Sequence, residues 1–503
     1  MASHKIKSYR IIRWVIQVVF LILFVFFFVQ TRYGVLTGYQ NLFFRFDPLI
    51  LIITSIVQRT IMTFALLSII LVVGTIIFGR FFCGFVCPLG KTIDIFDSVI
   101  RHKKEIRFSL KNAKYLILLF LVVSAIIGAS FLHFFDPLVI FERSLTLAFY
   151  PIVTYLIGLF RNLQAAVFTE TLIALLVFAA IIGLGFITRR FWCRNLCPLG
   201  GLLGFLSKFS WLRFRFTKEC KKCGICQSIC PTDAIDFENS KIDSAECIDC
   251  LACQYNCPDL SIKYGRNLSV VPFDITRRQV IFAIGSGLIA VPLAKTLLHQ
   301  KIQERLLRPP GSIPEADFLN ACIHCGKCMK ICPTNGLQPC ILEAGFNGIW
   351  TPRLVPRIGG CERNCNRCGQ LCPTSAIRKL SLEEKTYAVI GTSVIDHSRC
   401  IAWEQNMACL ICDEACQYNA INSLNETIQG ITIPRPFVDE RICVGCGICE
   451  SRCPIEGPTA IQVFSIGEER KKFGSYITEE KVKLRQCEQK SEEAPSGFIL
   501  DNN

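Results

Sequence analysis

The sequence predicts an α-helical membrane domain followed by small α+β modules organised around cysteine. Three observations lead there. Long apolar runs crowd the first 200 of 503 residues, in a chain that is 51% hydrophobic with a mean hydropathy of +0.41. That apolar part repeats itself, with its cysteine pairs 110 residues apart. Of 30 cysteines, 24 stand in six tight groups of four.

The apolar runs come first. A bilayer span needs about 20 mostly apolar residues, with about 17 at the short end. Residues 14–29, 61–78, 116–132 and 171–187 meet or approach that length, which predicts four spans. Lys5, Lys7, Arg10 and Arg13 precede the first, so the N-terminus is expected in the cytoplasm. Spans two and four then end on the same side, where Arg80, Arg189 and Arg190 follow them. Arg101, Lys103, Lys104, Arg107, Lys111 and Lys114 mark a cytoplasmic loop. The net charge of +15 gathers beside apolar runs in this way, with no groove-reading motif, which argues against nucleic acid as a partner. Residues 145–160 are apolar apart from Thr146, Pro151 and Thr154. They read as a re-entrant or surface helix, because the first half has no equivalent of that length.

The repeat is explicit. Phe46-Asp47-Pro48-Leu49 returns as Phe135-Asp136-Pro137-Leu138. Arg80-Phe81-Phe82-Cys83, closing on Cys87-Pro88-Leu89-Gly90, returns as Arg190-Phe191-Trp192-Cys193, closing on Cys197-Pro198-Leu199-Gly200. A duplicated two-span unit places both Cys-x3-Cys-Pro motifs on one membrane face. On a helix, residues i and i+4 share a side. Cys83/Cys87 and Cys193/Cys197 could therefore each offer two thiolates to one metal site, or serve as structural or assembly thiols.

After residue 205 the chain turns polar. Cys220, Cys223, Cys226 and Cys230 precede Pro231, and Cys247, Cys250, Cys253 and Cys257 precede Pro258. Both runs read C-x2-C-x2-C-x3-C-P, the ligand spacing of paired [4Fe–4S] clusters, in which the fourth cysteine reaches the neighbouring cluster. This assigns Cys220, Cys223, Cys226 and Cys257 to one cluster, and Cys247, Cys250, Cys253 and Cys230 to the other. Zinc sites usually take ligands in two pairs rather than two runs of four.

Four further groups follow. They are Cys322, Cys325, Cys328, Cys332; Cys361, Cys365, Cys368, Cys372; Cys400, Cys409, Cys412, Cys416; and Cys443, Cys446, Cys449, Cys453. The second has one extra residue in its first gap. The third has a long first gap and Gln417 where proline is usual. Six [4Fe–4S] clusters on 24 cysteines are the expectation. Cys340 and Cys487 have no partners at motif spacing and read as buried or incidental.

Between the two cysteine-rich stretches, Thr276-Arg277-Arg278-Gln279 precedes the apolar run 280–294. Paired arginines before a short apolar segment match a twin-arginine export signal. Without a small-x-small cleavage site after it, the segment is expected to remain as a fifth, anchoring span. The tail from about Glu479 is charged, poor in aromatics and expected to be flexible.

Asp47-Pro48 and Asp136-Pro137 look like helix starts, with Asp as N-cap and Pro at the first position. A quinone-site carboxylate, with His133 nearby, is the functional alternative, and the two roles are compatible. No C-x2-C-H motif is present, and His133 is the one histidine of six beside a span, so haem is not expected. There is no dinucleotide fingerprint.

On these motifs, residues 1–270 resemble the NapH-type membrane iron–sulfur (quinol dehydrogenase) subunit: four spans, two Cys-x3-Cys-Pro motifs, then two ferredoxin motifs. Residues 271–475 resemble the NapG/MauM-type exported ferredoxin, including Cys400-Ile401-Ala402-Trp403 leading to Cys409-Leu410-Ile411-Cys412. The chain looks like a fusion of the two. The resemblance implies ferredoxin-like α+β modules and nested pairing of the last four motifs, first with fourth and second with third. It also implies quinol oxidation, with electrons passed to a periplasmic redox partner such as a nitrate-reductase-like enzyme. A polyferredoxin-type assembly or activation factor, feeding electrons to a maturing metalloenzyme, is the alternative.

The expected organisation follows. Residues 1–205 form the four-span domain and 206–270 a cytoplasmic two-cluster module. Residues 271–300 are the anchor, 301–475 a periplasmic four-cluster module and 476–503 the tail. The whole is expected in the bacterial inner membrane, multi-pass, with the quinone pool and a periplasmic redox protein as partners.

Overall fold

The computed structural model describes residues 2–33, 38–63, 66–99, 110–159, 166–217, 220–259, 261–266, 275–296, 304–428 and 430–484. The chain divides into two compact units. One comprises Met1–Gln300 with Leu319–Lys330 and Gly345–Thr351; the other comprises Lys301–Phe318, Ile331–Ala344 and Pro352–Asn503.

The first unit begins with a single helix, Ala2–Tyr33. Its segment Ile11–Arg32 is apolar and 22 residues long, which at 1.5 Å per residue spans a hydrocarbon core of about 30 Å. Pro137–Gly158 is the second helix of sufficient length and hydropathy. It absorbs residues 145–158 of the stretch expected to be re-entrant: a π turn at Leu145–Phe149 joins Pro137–Ser144 to Tyr150–Gly158 without a break. The π turn carries the chain through Pro151, which sits within the first two positions of the last segment.

The remaining expected spans are shorter as helices. Pro48–Gln58, outside the expected spans, follows Tyr39–Arg45 at an 83° bend, a broken span or a re-entrant loop. Ser68–Phe78, Ala113–Ile126 and Thr171–Phe186 are apolar but fall below spanning length, because chain turns take up the ends of each apolar run. Arg277–Thr296, the expected anchor, is a 20-residue helix interrupted by Pro292. It packs on Ala113–Ile126 at Gly287, where a Cβ would lie 2.9 Å from Val123.

The Asp-Pro repeats do begin helices. Asp47 Oδ1 accepts from the backbone N–H of Leu49 at 2.8 Å, and Asp136 Oδ1 from Leu138 and Val139 at 3.0 and 2.9 Å. Each proline occupies the first turn, where a missing N–H costs nothing.

The two-motif module sits on the helices. Strand Leu212–Phe216 pairs antiparallel with Ile262–Arg266, with Phe214 opposite Tyr264. Trp211 N–H donates to Ile76 O, and Tyr264 Oη to Phe78 O. Lys111 and Arg194 both reach Asp233, at 3.0 and 2.8 Å. Lys114 is fully buried and paired with Glu246. Two lysines that read as loop charges are thus docking groups for this module. The rest of that basic loop, Arg101 to Arg107, lies outside the described residues.

The second unit is held by short antiparallel pairs: Leu337–Pro339 with Pro352–Leu354, Thr392–Ile395 with Ile461–Phe464, and the hairpin Ile421–Ile428 with Ile431–Val438. Arg308 crosses its core to Glu315, which also pairs with Arg470.

Candidate functional site

In the two-motif module, Cys220, Cys223, Cys226 and Cys257 line one cavity with Ile225 and Phe237. Cys253 lies within electrostatic reach of Cys250 and Cys230, and Cys247 within reach of Cys250 and Cys253. The structure therefore gathers four thiols twice, each set drawing three from one motif and the last from the other. The loops wrap inward because several residues take the left-handed conformation: Lys222, Asp249 and Leu251 within the motifs, and Asp233 three places after Cys230. Backbone N–H groups then face sulfur, as Ala234 does to Cys230 and Ser261 to Cys257, each at 3.3 Å. Such bonds set cluster potential. Burial pushes the Asp249 carboxyl up to about 7, beside the Cys247 thiol.

In the second unit, one cavity is lined by Cys361, Cys365, Cys368 and Cys332. Another is lined by Cys400, Cys409, Cys412 and Cys453. Cys449 lies near Cys446, Cys443 and Cys416. The last cysteine of motif one joins the thiols of motif two, and motifs three and four exchange theirs. This corrects the nested pairing implied by the resemblance. The physical reason is chain economy: adjacent motifs exchange their fourth ligand across a short connection, which closes at lower entropic cost. The two pairs meet where Cys361 N–H donates to Cys446 O at 2.7 Å.

The irregular third motif still closes. Cys400 caps a short helix, Ile401–Glu404, and lies within reach of Cys412 and Cys409. Gln417, in the usual proline position, has a task. Its Oε1 accepts from Arg363 N–H at 2.8 Å, its carbonyl from Arg363 Nη1 at 2.7 Å, and its Nε2 donates to Glu362. It thus holds the longer Cys361–Cys365 gap of the second motif, so the two departures from the common pattern are one arrangement. Ser393 Oγ lies 3.3 Å from Cys449 Sγ and 3.7 Å from Cys443 Sγ. Cys340 is buried, with Arg308 Nη1 3.6 Å from its sulfur. Cys487 lies outside the described residues.

The Cys-x3-Cys-Pro motifs converge. Each of Cys83, Cys87, Cys193 and Cys197 lies within electrostatic reach of the other three. Both motifs fold as π turns, Phe82–Val86 and Trp192–Leu196, each feeding a helix through its second cysteine. Gly90 N–H donates to Cys87 Sγ at 3.4 Å and Gly200 N–H to Cys197 Sγ at 3.2 Å. Arg80 and Arg190, both 1% exposed, flank the four sulfurs. No disulfide joins any of the described cysteines.

A second polar group is buried in the first unit. His133 and His324 stack with centroids 3.7 Å apart and planes 7° from parallel. His324 lies between Cys322 and Cys325, and its Nδ1 is 2.6 Å from Ile349 O. His133 is 1% exposed, and neither ring nitrogen has a hydrogen-bond partner. Asp47 and Asp136 lie within electrostatic reach of each other, and the Oδ2 of each has no hydrogen-bond partner. Lys327 reaches Gln40 O, Asn41 and, at 3.7 Å, Glu142. Lys330 reaches Phe28 O, and burial holds its ammonium down at about 6. Arg143 donates to His133 O and lies over the Trp350 ring.

These two sites lie at opposite ends of the first helix. Arg13 donates to Gly84 O, inside the Cys83–Cys87 turn, and Arg32 donates to Lys330 O. About 28 Å of helix rise separates those two arginines.

Sequence reasoning found His133 and both aspartates. It missed His324, Glu142, Lys327 and Lys330, which carry no motif of their own; His324 had only its place inside a cysteine group as a signal.

Comparison with known proteins follows these sites. A family described as a 4Fe-4S binding domain matches residues 60–107 and 171–219, the two Cys-x3-Cys-Pro repeats. A second 4Fe-4S binding domain matches 216–236, and a 4Fe-4S dicluster domain matches 243–336. The methylamine utilization ferredoxin-type protein MauM of Paracoccus denitrificans is 35% identical over 196 residues, 37% of this chain and 82% of MauM. The ferredoxin-type protein NapG of Escherichia coli is 31% identical over 213 residues, 40% of this chain and 88% of NapG. The putative electron transport protein YccM of Escherichia coli is 27% identical over 205 residues, 38% of this chain and 53% of YccM.

Proposed function

This chain belongs to the MauM and NapG family of ferredoxin-type proteins, iron–sulfur proteins of electron transfer, and from that premise we propose that it oxidises quinol at a membrane and passes the electrons to a periplasmic redox protein. Its N-terminal part would then act as the NapH-type subunit does, in one chain with the exported ferredoxin. The observation that carries this reading is the buried group around His133. Quinol oxidation releases two protons and two electrons. It needs a proton acceptor inside an apolar site, next to an electron acceptor.

His133 supplies ring nitrogens without hydrogen-bond partners, and Asp47 and Asp136 each supply an unpartnered carboxylate oxygen. The stacked His324 belongs to the same loop as Cys322 and Cys325. A cluster bound by that motif would take the two electrons one at a time, passing each on to the next centre. The residues of this chain do the rest. The helix Pro137–Gly158 and Phe44 wall the group from water, Lys327 pairs with the Glu142 carboxylate, and Arg143 fixes the His133 backbone. Six cubanes on the 24 motif cysteines, a helical part anchored in the inner membrane, the two-motif module in the cytoplasm and the four-motif module outside complete the proposal.

The test uses the full chain in proteoliposomes. Cluster EPR signals that develop on menaquinol addition support the reading. A full iron complement that dithionite reduces and menaquinol does not would sink it, and would favour the assembly-factor role.

A further inference from the structure

A pocket near the start of the first helix is not used by that mechanism. It holds about 390 Å³, between Arg13, Trp14 and Gln17 of that helix and Lys91, Asp94 and Ile95 of the helix Pro88–Val99. We infer that it binds the phosphate headgroup of an anionic glycerophospholipid, held by Lys91 and Arg13, with the apolar part of the lipid along Trp14. The inference rests on the helical part lying in a bilayer and is independent of quinol oxidation.

An ammonium short of acceptors is the first argument. Lys91 is 5% exposed. Its side chain carries three donors, yet it makes one hydrogen bond, 3.4 Å long, to Gln17 Oε1. Trp14 covers it, with the ring centroid 5.2 Å from Nζ. Asp94, the carboxylate of the pocket, is engaged elsewhere. Arg190 binds both of its oxygens, each at 2.5 Å, and Arg13 lies 3.6 Å from it. A buried charge is costly unless its donors are satisfied. Lys91 therefore calls for an acceptor that arrives from outside the chain.

The sign of the charge is the second argument. Arg13, Lys91 and Arg190 surround the single carboxylate of Asp94. Arg13 uses one N–H on Gly84 O at 3.2 Å and keeps others for the pocket. The excess is positive, which favours a phosphate oxyanion over a neutral ring.

Depth and shape are the third argument. Arg13 and Trp14 stand at the start of the apolar segment Ile11–Arg32, the level at which a spanning helix meets the headgroups. Tryptophan suits that level, and basic residues there attract anionic lipids. Ile11, Trp14 and Ile95 are exposed, so the pocket has an apolar side along which acyl chains can begin. Lys91, Asp94 and Ile95 fall three and four residues apart, which puts them on one face of their helix. The floor of the pocket touches the Cys83–Cys87 turn, since Arg13 Nε and Gln17 Nε2 both donate to Gly84 O. A bound headgroup would brace the first helix against that turn.

The experiment titrates delipidated full-length protein in detergent with phosphatidylglycerol or phosphatidylcholine and counts bound lipid by native mass spectrometry. The native chain is expected to retain one phosphatidylglycerol, with a preference of about tenfold or more over phosphatidylcholine. Lys91→Met should weaken that binding by about tenfold or more. Ile95→Trp, which fills the mouth of the pocket from an exposed position, should do the same while leaving the buried charges in place. Lys91→Arg should stay within about threefold of native, because either cation binds phosphate. Native affinity in both Lys91→Met and Ile95→Trp overturns the inference. So does equal affinity for the two lipids, displacement of phosphatidylglycerol by inorganic phosphate, which would mark a site for a free ion, or displacement by menaquinone, which would mark a site for a neutral ring. Flotation of the native chain with lipid vesicles tests the bilayer placement separately. A chain that floats but shows no lipid preference refutes the headgroup site alone, and a chain that does not float removes its premise.

Discussion

The imidazole of His133 lies 3.7 Å from that of His324 and parallel to it, one ring from the apolar helical domain and the other from inside a cluster-binding loop. The contact joins an imidazole whose two nitrogens have no hydrogen-bond partner to a cysteine motif through a single pair of aromatic faces. A buried polar ring without partners costs about 1–3 kcal/mol, and native proteins keep few of them. Retaining one here is consistent with use by a substrate.

His133→Phe tests this directly. Phenylalanine preserves the stacking face and removes both nitrogens. Menaquinol-driven cluster reduction is expected to fall by about 100-fold or more, in the range general base groups contribute. Iron content and reduction by dithionite should be unchanged. Native rates of quinol-driven reduction in this variant would remove His133 from the mechanism.

The aspartates separate two roles by the choice of replacement. Asn caps a helix about as well as Asp, so Asp47→Asn and Asp136→Asn should leave thermal stability nearly unchanged while lowering the rate of quinol oxidation. Asp47→Ala and Asp136→Ala lose the cap as well and should cost about 1 kcal/mol each in stability. If the Asn variants oxidise quinol at the native rate, the carboxylates serve as caps alone.

Glu246 is expected to hold the two-motif module to the helices. It pairs with the buried Lys114 and lies 3.9 Å from Arg80. Glu246→Gln leaves Lys114 buried without its counter-charge, a change worth about 3–5 kcal/mol. Hydrogen exchange in the strands Leu212–Phe216 and Ile262–Arg266 should accelerate accordingly. Glu246→Gln/Lys114→Met should recover much of that protection. Equal exchange in the native chain and the single variant would show that docking rests on other contacts, such as Trp211 to Ile76.

Acid should loosen the second unit through Glu315. Burial alone would raise its carboxyl, but Arg308 and Arg470 outweigh that and hold it below the usual range. A carboxylate depressed in the folded state adds stability that is present above its unfolded value near 4.3. That contribution disappears as pH falls through the lower folded value. Glu315→Gln is therefore expected to be destabilised by about 1–3 kcal/mol at pH 7, and the gap to native protein should close as pH drops below about 4. A gap in denaturant midpoint that is independent of pH would contradict the ion-pair assignment.

How much of this was legible in the sequence depends on the range of the interaction. The cysteine motifs, the duplicated Asp-Pro starts and the first apolar helix are local patterns. Thiolate spacing, N-cap chemistry and helix length are each fixed within a few residues of chain, and the structure shows the Asp47 and Asp136 caps as expected. Helix ends were less legible. Apolar runs such as 61–78 mix helix with turn, and hydropathy alone does not show where the turns fall. What only the tertiary structure decided is long-range: the exchange of Cys332 and Cys453 between adjacent motifs, the burial of Lys114, the approach of Asp47 to Asp136, and the convergence of Cys83, Cys87, Cys193 and Cys197. Each brings together groups separated along the chain, and their meeting depends on how whole elements dock. The sequence names the donors, and packing determines which of them share a site.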